Sequence, residues 1–144
     1  MARFVPHRPE QVTPDEVAIR AASFYESMDQ RRSVRMFDST AVPQVVIDTI
    51  IATASTAPSG AHRQPWTFVA VGDAATKHAI RVAAEEEERE NYEGGRLPPD
   101  WREALEPLGT DADKSFLEVV PWIVVLFEQR YGLHPDGTRL KNFY

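Results

Sequence analysis

Apolar residues in this chain recur with two periods, and capping and turn residues mark where each run begins and ends. Thr13-Pro14-Asp15-Glu16 sets a hydroxyl at an N-cap, a proline at the first helical position and a glutamate three residues after the cap. A helix is therefore predicted from there to about Gln30. Val42-Pro43 opens a second helix, along which Val46, Ile47, Ile50, Ile51 and Ala54 fall at the spacing of one core-facing stripe. It ends at Ala57-Pro58, since a residue before proline is driven out of the α region. The unbroken run Trp66-Thr67-Phe68-Val69-Ala70-Val71 reads as a buried strand. Gly72-Asp73 stops that strand and caps a third helix, from Ala74 to about Tyr92, and Glu93 to Pro99 carries the glycines and prolines of a loop. Two short helical stretches, around Trp101 to Leu105 and Asp113 to Glu118, lead to a second buried strand, Trp122-Ile123-Val124-Val125-Leu126-Phe127. From Gln129 the chain is polar and interrupted by Gly132, Pro135 and Gly137.

Helix, helix, strand, helix, helix, strand is the order of an α+β or α/β domain. Two strands that are apolar on both faces cannot cover each other's faces and edges, so the pattern calls for further strands from this chain or a partner. Residues 1–144 are accordingly read as one domain, apparently incomplete, stopping at Lys141-Asn142-Phe143-Tyr144 without a closing signal.

Composition narrows the chemistry. With 42% hydrophobic and 26% charged residues the chain is of globular type, and its net charge of −6 disfavours nucleic acid as a partner. It has no cysteine, which excludes disulfides, thiol catalysis and thiolate metal sites, and its 4 histidines lack metal-ligand spacing, so no metal is expected. Met1 to Glu10 has no apolar targeting run and no later run approaches a membrane span, which makes a cytoplasmic location the simplest expectation.

Three segments stand out against this background. Arg31-Arg32-Ser33-Val34-Arg35 concentrates three guanidinium groups and a hydroxyl, a donor set suited to phosphate oxygens. The same cluster equally suits a helix C-terminus, where cations complement the macrodipole. Ala57-Pro58-Ser59-Gly60-Ala61-His62 joins a helix to a strand through a turn in which glycine permits close approach to backbone N–H groups; as a segment by itself it is an ordinary helix-to-strand loop, and His62 a loop histidine. In Glu85-Glu86-Glu87-Glu88-Arg89-Glu90 most glutamates form a solvated helix face, but Glu88 and Tyr92 lie four apart on one side, and Lys114 follows beyond the Gly- and Pro-rich loop. A carboxylate, a phenol and an ammonium together suit a zwitterion.

In order and spacing these segments resemble the nitroreductase family of FMN enzymes, and within it the iodotyrosine deiodinase type. The likeness runs from about Phe24 to Phe127, with Ala57 to His62 and Pro65-Trp66-Thr67-Phe68 its most specific part. It implies a nitroreductase-like α+β fold, a mixed sheet flanked by helices, and an FMN-dependent oxidoreductase that removes halogen reductively from halotyrosines. By the same resemblance Arg31, Arg32, Ser33 and Arg35 serve FMN, Pro58, Ser59 and Gly60 lie beside the flavin, and the Ala61 N–H is the catalytic contact to the substrate phenolate. Glu88, Tyr92 and Lys114 take the amino-acid zwitterion. A nicotinamide or a partner reductase is the implied electron source, and a homodimer the implied assembly. The loop Gly94 to Asp100 is less basic than in the animal enzymes, which leaves substrate choice open. A general nitroreductase, a flavin-fragmenting enzyme of the same family, and an inactive fragment that only binds flavin or dimerises are the alternative readings.

Overall fold

The structure, a computed structural model, describes residues 5–140. Met1-Ala2-Arg3-Phe4 and Lys141-Asn142-Phe143-Tyr144, both read above from sequence, lie outside the described residues. The chain divides into two compact units, Met1–Arg35 and Met36–Tyr144.

The first unit is built on helix α1, Pro14–Asp29. Its start is the expected capping box: Thr13 Oγ1 accepts the Glu16 N–H at 3.2 Å, and the Glu16 carboxylate accepts the Thr13 N–H at 2.7 Å. Arg20 donates to both oxygens of Glu10 at 2.8 and 3.0 Å, which holds that carboxyl below its ordinary range. No residue of α1 is buried, and Val17, Phe24 and Met28, spaced along one helical stripe, are all exposed.

The second unit contains α2 (Gln44–Ser55), β1 (Trp66–Val71), α3 (Ala74–Tyr92), α4 (Pro99–Leu105), α5 (Phe116–Val119) and β2 (Ile123–Glu128). β1 and β2 pair antiparallel from Trp66 opposite Glu128 to Val71 opposite Ile123, and the sheet has these two strands. Asp73 caps α3 by accepting the Thr76 N–H at 2.8 Å. Trp122 locks the base of the layer: its indole N–H donates to the Val42 carbonyl at 2.8 Å, and its ring lies where a Cβ on Gly72 would approach to 2.9 Å. Phe37 and Phe116 pack with ring centroids 5.6 Å apart. Lys77, only 8% exposed, donates to the carbonyls of Glu118 at 3.2 Å and Val120 at 2.6 Å, tying α5 to α3.

Three expectations need correction. The strands are half-buried rather than buried, with Val69 and Phe127 exposed on one face of the sheet and Val124 and Leu126 on the other, because the described elements cover neither face of the two-stranded sheet completely. On α2 the apolar stripe is mostly uncovered, and Ile47 is the buried hydrophobic residue among those described. The helix expected from Asp113 begins at Phe116, since the Asp113 carboxylate turns onto the Ser115 N–H at 2.7 Å and makes a local turn of those residues instead. Beyond β2, Pro135-Asp136-Gly137 forms the tip of a small hairpin closed by the Leu133–Arg139 bridge, with Gly137 at φ +83° and the Asp136 carboxylate accepting the Thr138 N–H at 2.9 Å.

Candidate functional site

The loop between α2 and β1 holds the most constrained backbone of the second unit. Ala61, His62 and Gln64 take φ of 49°, 54° and 48°, a left-handed region that costs a residue with a Cβ about 1–2 kcal/mol. Hydrogen bonds within the loop sustain it: His62 N–H to the Ser59 carbonyl and Arg63 N–H to the Gly60 carbonyl, each at 3.1 Å, and Gln64 N–H to Ser59 Oγ at 2.8 Å. The Ser59 oxygen thus staples the loop, and its hydroxyl hydrogen is left to donate elsewhere. Ala61 is exposed, and among the described residues no acceptor takes its N–H. A fixed donor of this kind, held by strain that the surrounding bonds maintain, is suited to an oxyanion. His62 is exposed on the same loop.

In the first unit, the residues after α1 leave the helix and run without regular structure. Arg32 folds back, its guanidinium donating to the Arg31 carbonyl at 2.9 Å and to that of Asp29. It meets carbonyls at the C-terminus of α1, as a basic residue after a helix does. Arg31, Ser33 and Arg35 are exposed, and among the described residues their side chains have no hydrogen-bond or ion-pair partner. Two guanidinium groups and a hydroxyl available in three alternate residues retain the donor set for a phosphate.

On α3, Glu88 and Tyr92 are half-buried, and the Arg102 guanidinium donates to the Tyr92 carbonyl. The structure seats the backbone of Lys114 on this helix: its N–H donates to Glu85 Oε1 at 3.1 Å. The Lys114 ammonium, however, rests on the carbonyl of Asp111, and no hydrogen bond or ion pair among the described residues joins the side chains of Glu88, Tyr92 and Lys114. Around this seat lies a network that the sequence reading missed. Arg81 donates to both oxygens of Glu85 at 3.0 Å and to Glu118, whose carboxylate also meets His78 at 2.7 Å. The Lys114 N–H, aided by Arg81 and opposed by burial, holds the Glu85 carboxyl below its ordinary range, and His78 and Arg81 do the same for Glu118. The available signal was the spacing Lys77, Arg81, Glu85, Glu88, which lines one face of α3 with two cations followed by two carboxylates.

Among the described residues, no helix is long and apolar enough to cross a membrane. An iodotyrosine deiodinase of Haliscomenobacter hydrossis is 50% identical over 141 residues, 98% of this chain and 63% of that protein. One from Danio rerio is 44% identical over 97% of this chain and 47% of its own length. A crystal structure of oxidized iodotyrosine deiodinase bound to FMN and 3-iodo-L-tyrosine matches with a TM-score of 0.67 at 30% identity, covering 72% of this chain and 55% of that one. The chain therefore spans between about half and two thirds of the length of these proteins, and the α+β arrangement described above is the corresponding part of a nitroreductase-like fold. Residues 28–141 match the Nitroreductase family, and the chain belongs to that family.

Proposed function

We propose that this chain is the flavin-binding and substrate-recognising part of an FMN-dependent oxidoreductase that removes halogen reductively from halotyrosines. The observation that carries the reading is the 50% identity to an iodotyrosine deiodinase across 98% of the chain, which includes all three candidate segments. The local chemistry fits FMN: Arg31, Ser33 and Arg35 offer unengaged phosphate donors, and the loop of Pro58, Ser59 and Gly60 presents a rigid, donor-bearing edge to a flat ring. Bound reduced FMN supplies the two electrons with which the carbon–halogen bond is broken, the halogen leaving as halide and a proton taking its place on the ring.

The protein's part is to hold and to polarise. The Ala61 N–H donates to the phenolic oxygen of the substrate, favouring the non-aromatic tautomer in which that oxygen is a carbonyl. Glu88 receives the α-ammonium, Lys114 the α-carboxylate, and Tyr92 adds a neutral hydrogen bond. Arg32 serves by finishing α1 and directing Arg31 and Ser33 outward. A nicotinamide or a partner reductase provides the electrons, in a cytoplasmic setting. The assembly is a homodimer, which supplies cover for the exposed apolar stripe of α1. Light scattering tests this: a flavin-loaded monomer at micromolar concentration rejects the dimer.

Substrate recognition is tested by titrating the oxidised, flavin-loaded protein with 3-iodotyrosine and with iodophenol, following flavin fluorescence, before and after Lys114→Ala; the activity is tested by reducing the flavin in the presence of 3-iodotyrosine and measuring released iodide, whose absence rejects the dehalogenase reading. Loss of one charge-assisted contact weakens iodotyrosine roughly ten- to a hundredfold and leaves iodophenol nearly unchanged. An unaltered iodotyrosine affinity would instead favour a general nitroreductase.

A further inference from the structure

Resting on the zwitterion reading just given, we propose that Glu85 is a positioning residue for substrate selection, its carboxylate seating the Lys114 backbone on α3 so that the lysine side chain turns freely toward Glu88.

The acidic run is not uniform. The Glu85 side chain is 13% exposed, whereas that of Glu87, two residues on, is 65% exposed and pairs among the described residues with Arg96. Both Glu85 oxygens receive Arg81, and one of them also receives the Lys114 N–H, so a shielded carboxylate makes a bond between distant segments. Arg81 is in turn fixed by Glu118 of α5. Glu88 follows Glu85 by three residues and therefore stands on the same face, about one turn further along. A backbone anchored at Glu85 thus puts Lys114 next to the turn that carries Glu88.

The anchor matters because the chain on its N-terminal side is tied to α3 at its start, by Arg96 on Glu87, Leu97 on the Asn91 carbonyl and Arg102 on the Tyr92 carbonyl, and Lys114 lies twelve residues beyond the last of these. Between Tyr92 and Lys114 lie Gly94, Gly95 and Gly109, the last two at positive φ, and a short helix that buries no residue. The ammonium's resting partner is a carbonyl only three residues away. With the amide held, transfer of the ammonium from Asp111 to a substrate carboxylate is a side-chain rotation; without it, the stretch between Arg102 and Lys114 must be ordered on binding, at a cost in conformational entropy.

The test uses the flavin-loaded full chain and measures dissociation constants for 3-iodotyrosine and iodophenol by flavin fluorescence, with FMN retention as the control. Glu85→Ala weakens iodotyrosine about tenfold, leaves iodophenol and FMN unchanged, and adds little to the loss in Lys114→Ala, because it acts through that residue. Glu85→Gln, whose amide oxygen still accepts the Lys114 N–H, restores most of the affinity. Should Glu85→Ala fail to hold flavin, Arg81→Met decides, since it loosens the carboxylate without removing it and gives a smaller, equally ligand-selective loss. Equal losses for both ligands, full additivity with Lys114→Ala, or no effect of Glu85→Ala where Lys114→Ala is harmful overturns the proposal. If Lys114→Ala itself spares iodotyrosine, the zwitterion assignment fails, and this proposal with it.

Discussion

Replacing Lys77 by methionine removes an ammonium while keeping most of its aliphatic stem. That ammonium supplies two carbonyls at the end of α5, Glu118 at 3.2 Å and Val120 at 2.6 Å, from a side chain only 8% exposed. The last carbonyls of a helix have no partner inside it, and α5 is four residues long, so almost all of its polar ends depend on outside donors. A hydrogen bond to a charged group is worth about 1.5–3 kcal/mol net. The longer of the two contributes less, and removing a shielded charge returns part of its desolvation cost. Lys77→Met is therefore expected to destabilise the protein by about 2 kcal/mol. Urea unfolding followed by tryptophan fluorescence reads this well, since Trp122 lies two residues beyond one of the carbonyls; the midpoint shifts down at unchanged slope. A midpoint equivalent to less than about 0.5 kcal/mol of change would show that water serves those carbonyls as well as the lysine does, and would refute the reasoning.

Gly72→Ala places a methyl 2.9 Å from the Trp122 ring, so the ring must move off its Val42 hydrogen bond, and overpacking of this kind lowers stability by about 1–3 kcal/mol in a thermal melt. Arg31→Ala weakens FMN roughly ten- to a hundredfold in a fluorescence titration, whereas Arg32→Ala, whose guanidinium is occupied at the end of α1, changes FMN affinity far less. Ala61→Gly keeps the N–H and relieves a φ of 49°, so binding of both phenols persists; its loss would assign the contact to the methyl group. The Glu85 and Glu118 carboxyls are both held below the ordinary value of 4.5, so the stability they confer is complete above that value and lost as pH falls through their folded values. The urea midpoint accordingly drops on acidification below about pH 4.5, less steeply in Glu85→Gln.

Local signals in the sequence located the elements well wherever a side chain caps its own helix. Thr13 with Glu16 and Asp73 with Thr76 are short-range bonds, and the starts of α1 and α3 followed from them. Residues that act through distant partners were not legible in the same way. Asp113 has the spacing of a helix start but spends its carboxylate on a turn. Arg32 has the same side chain as Arg31 and Arg35, and only the folded structure shows that it turns back on α1. Glu85 is indistinguishable in composition from the glutamates beside it, because its role depends on a residue beyond an intervening loop. The Ala61 donor was placed by resemblance, but its left-handed backbone was not, since alanine gives no sequence sign of positive φ. Burial of the strands was overestimated because apolar content reports what a strand is able to cover, not what this chain provides to cover it.

The pairing of Val71 with Ile123 gives the second unit a modular consequence. Everything from Gly72 to Trp122 is an excursion that leaves the sheet and returns to the same edge pair, clamped near its base by Trp122 over Gly72 and by Lys77 on Glu118 and Val120. Loop closure depends only logarithmically on length, so residues inserted, deleted or exchanged between Glu93 and Asp113 cost the fold little so long as that clamp survives. The strained loop carrying Ala61 lies outside the excursion. Such a cassette can diversify in sequence and length while the loop carrying Ala61 is inherited unchanged.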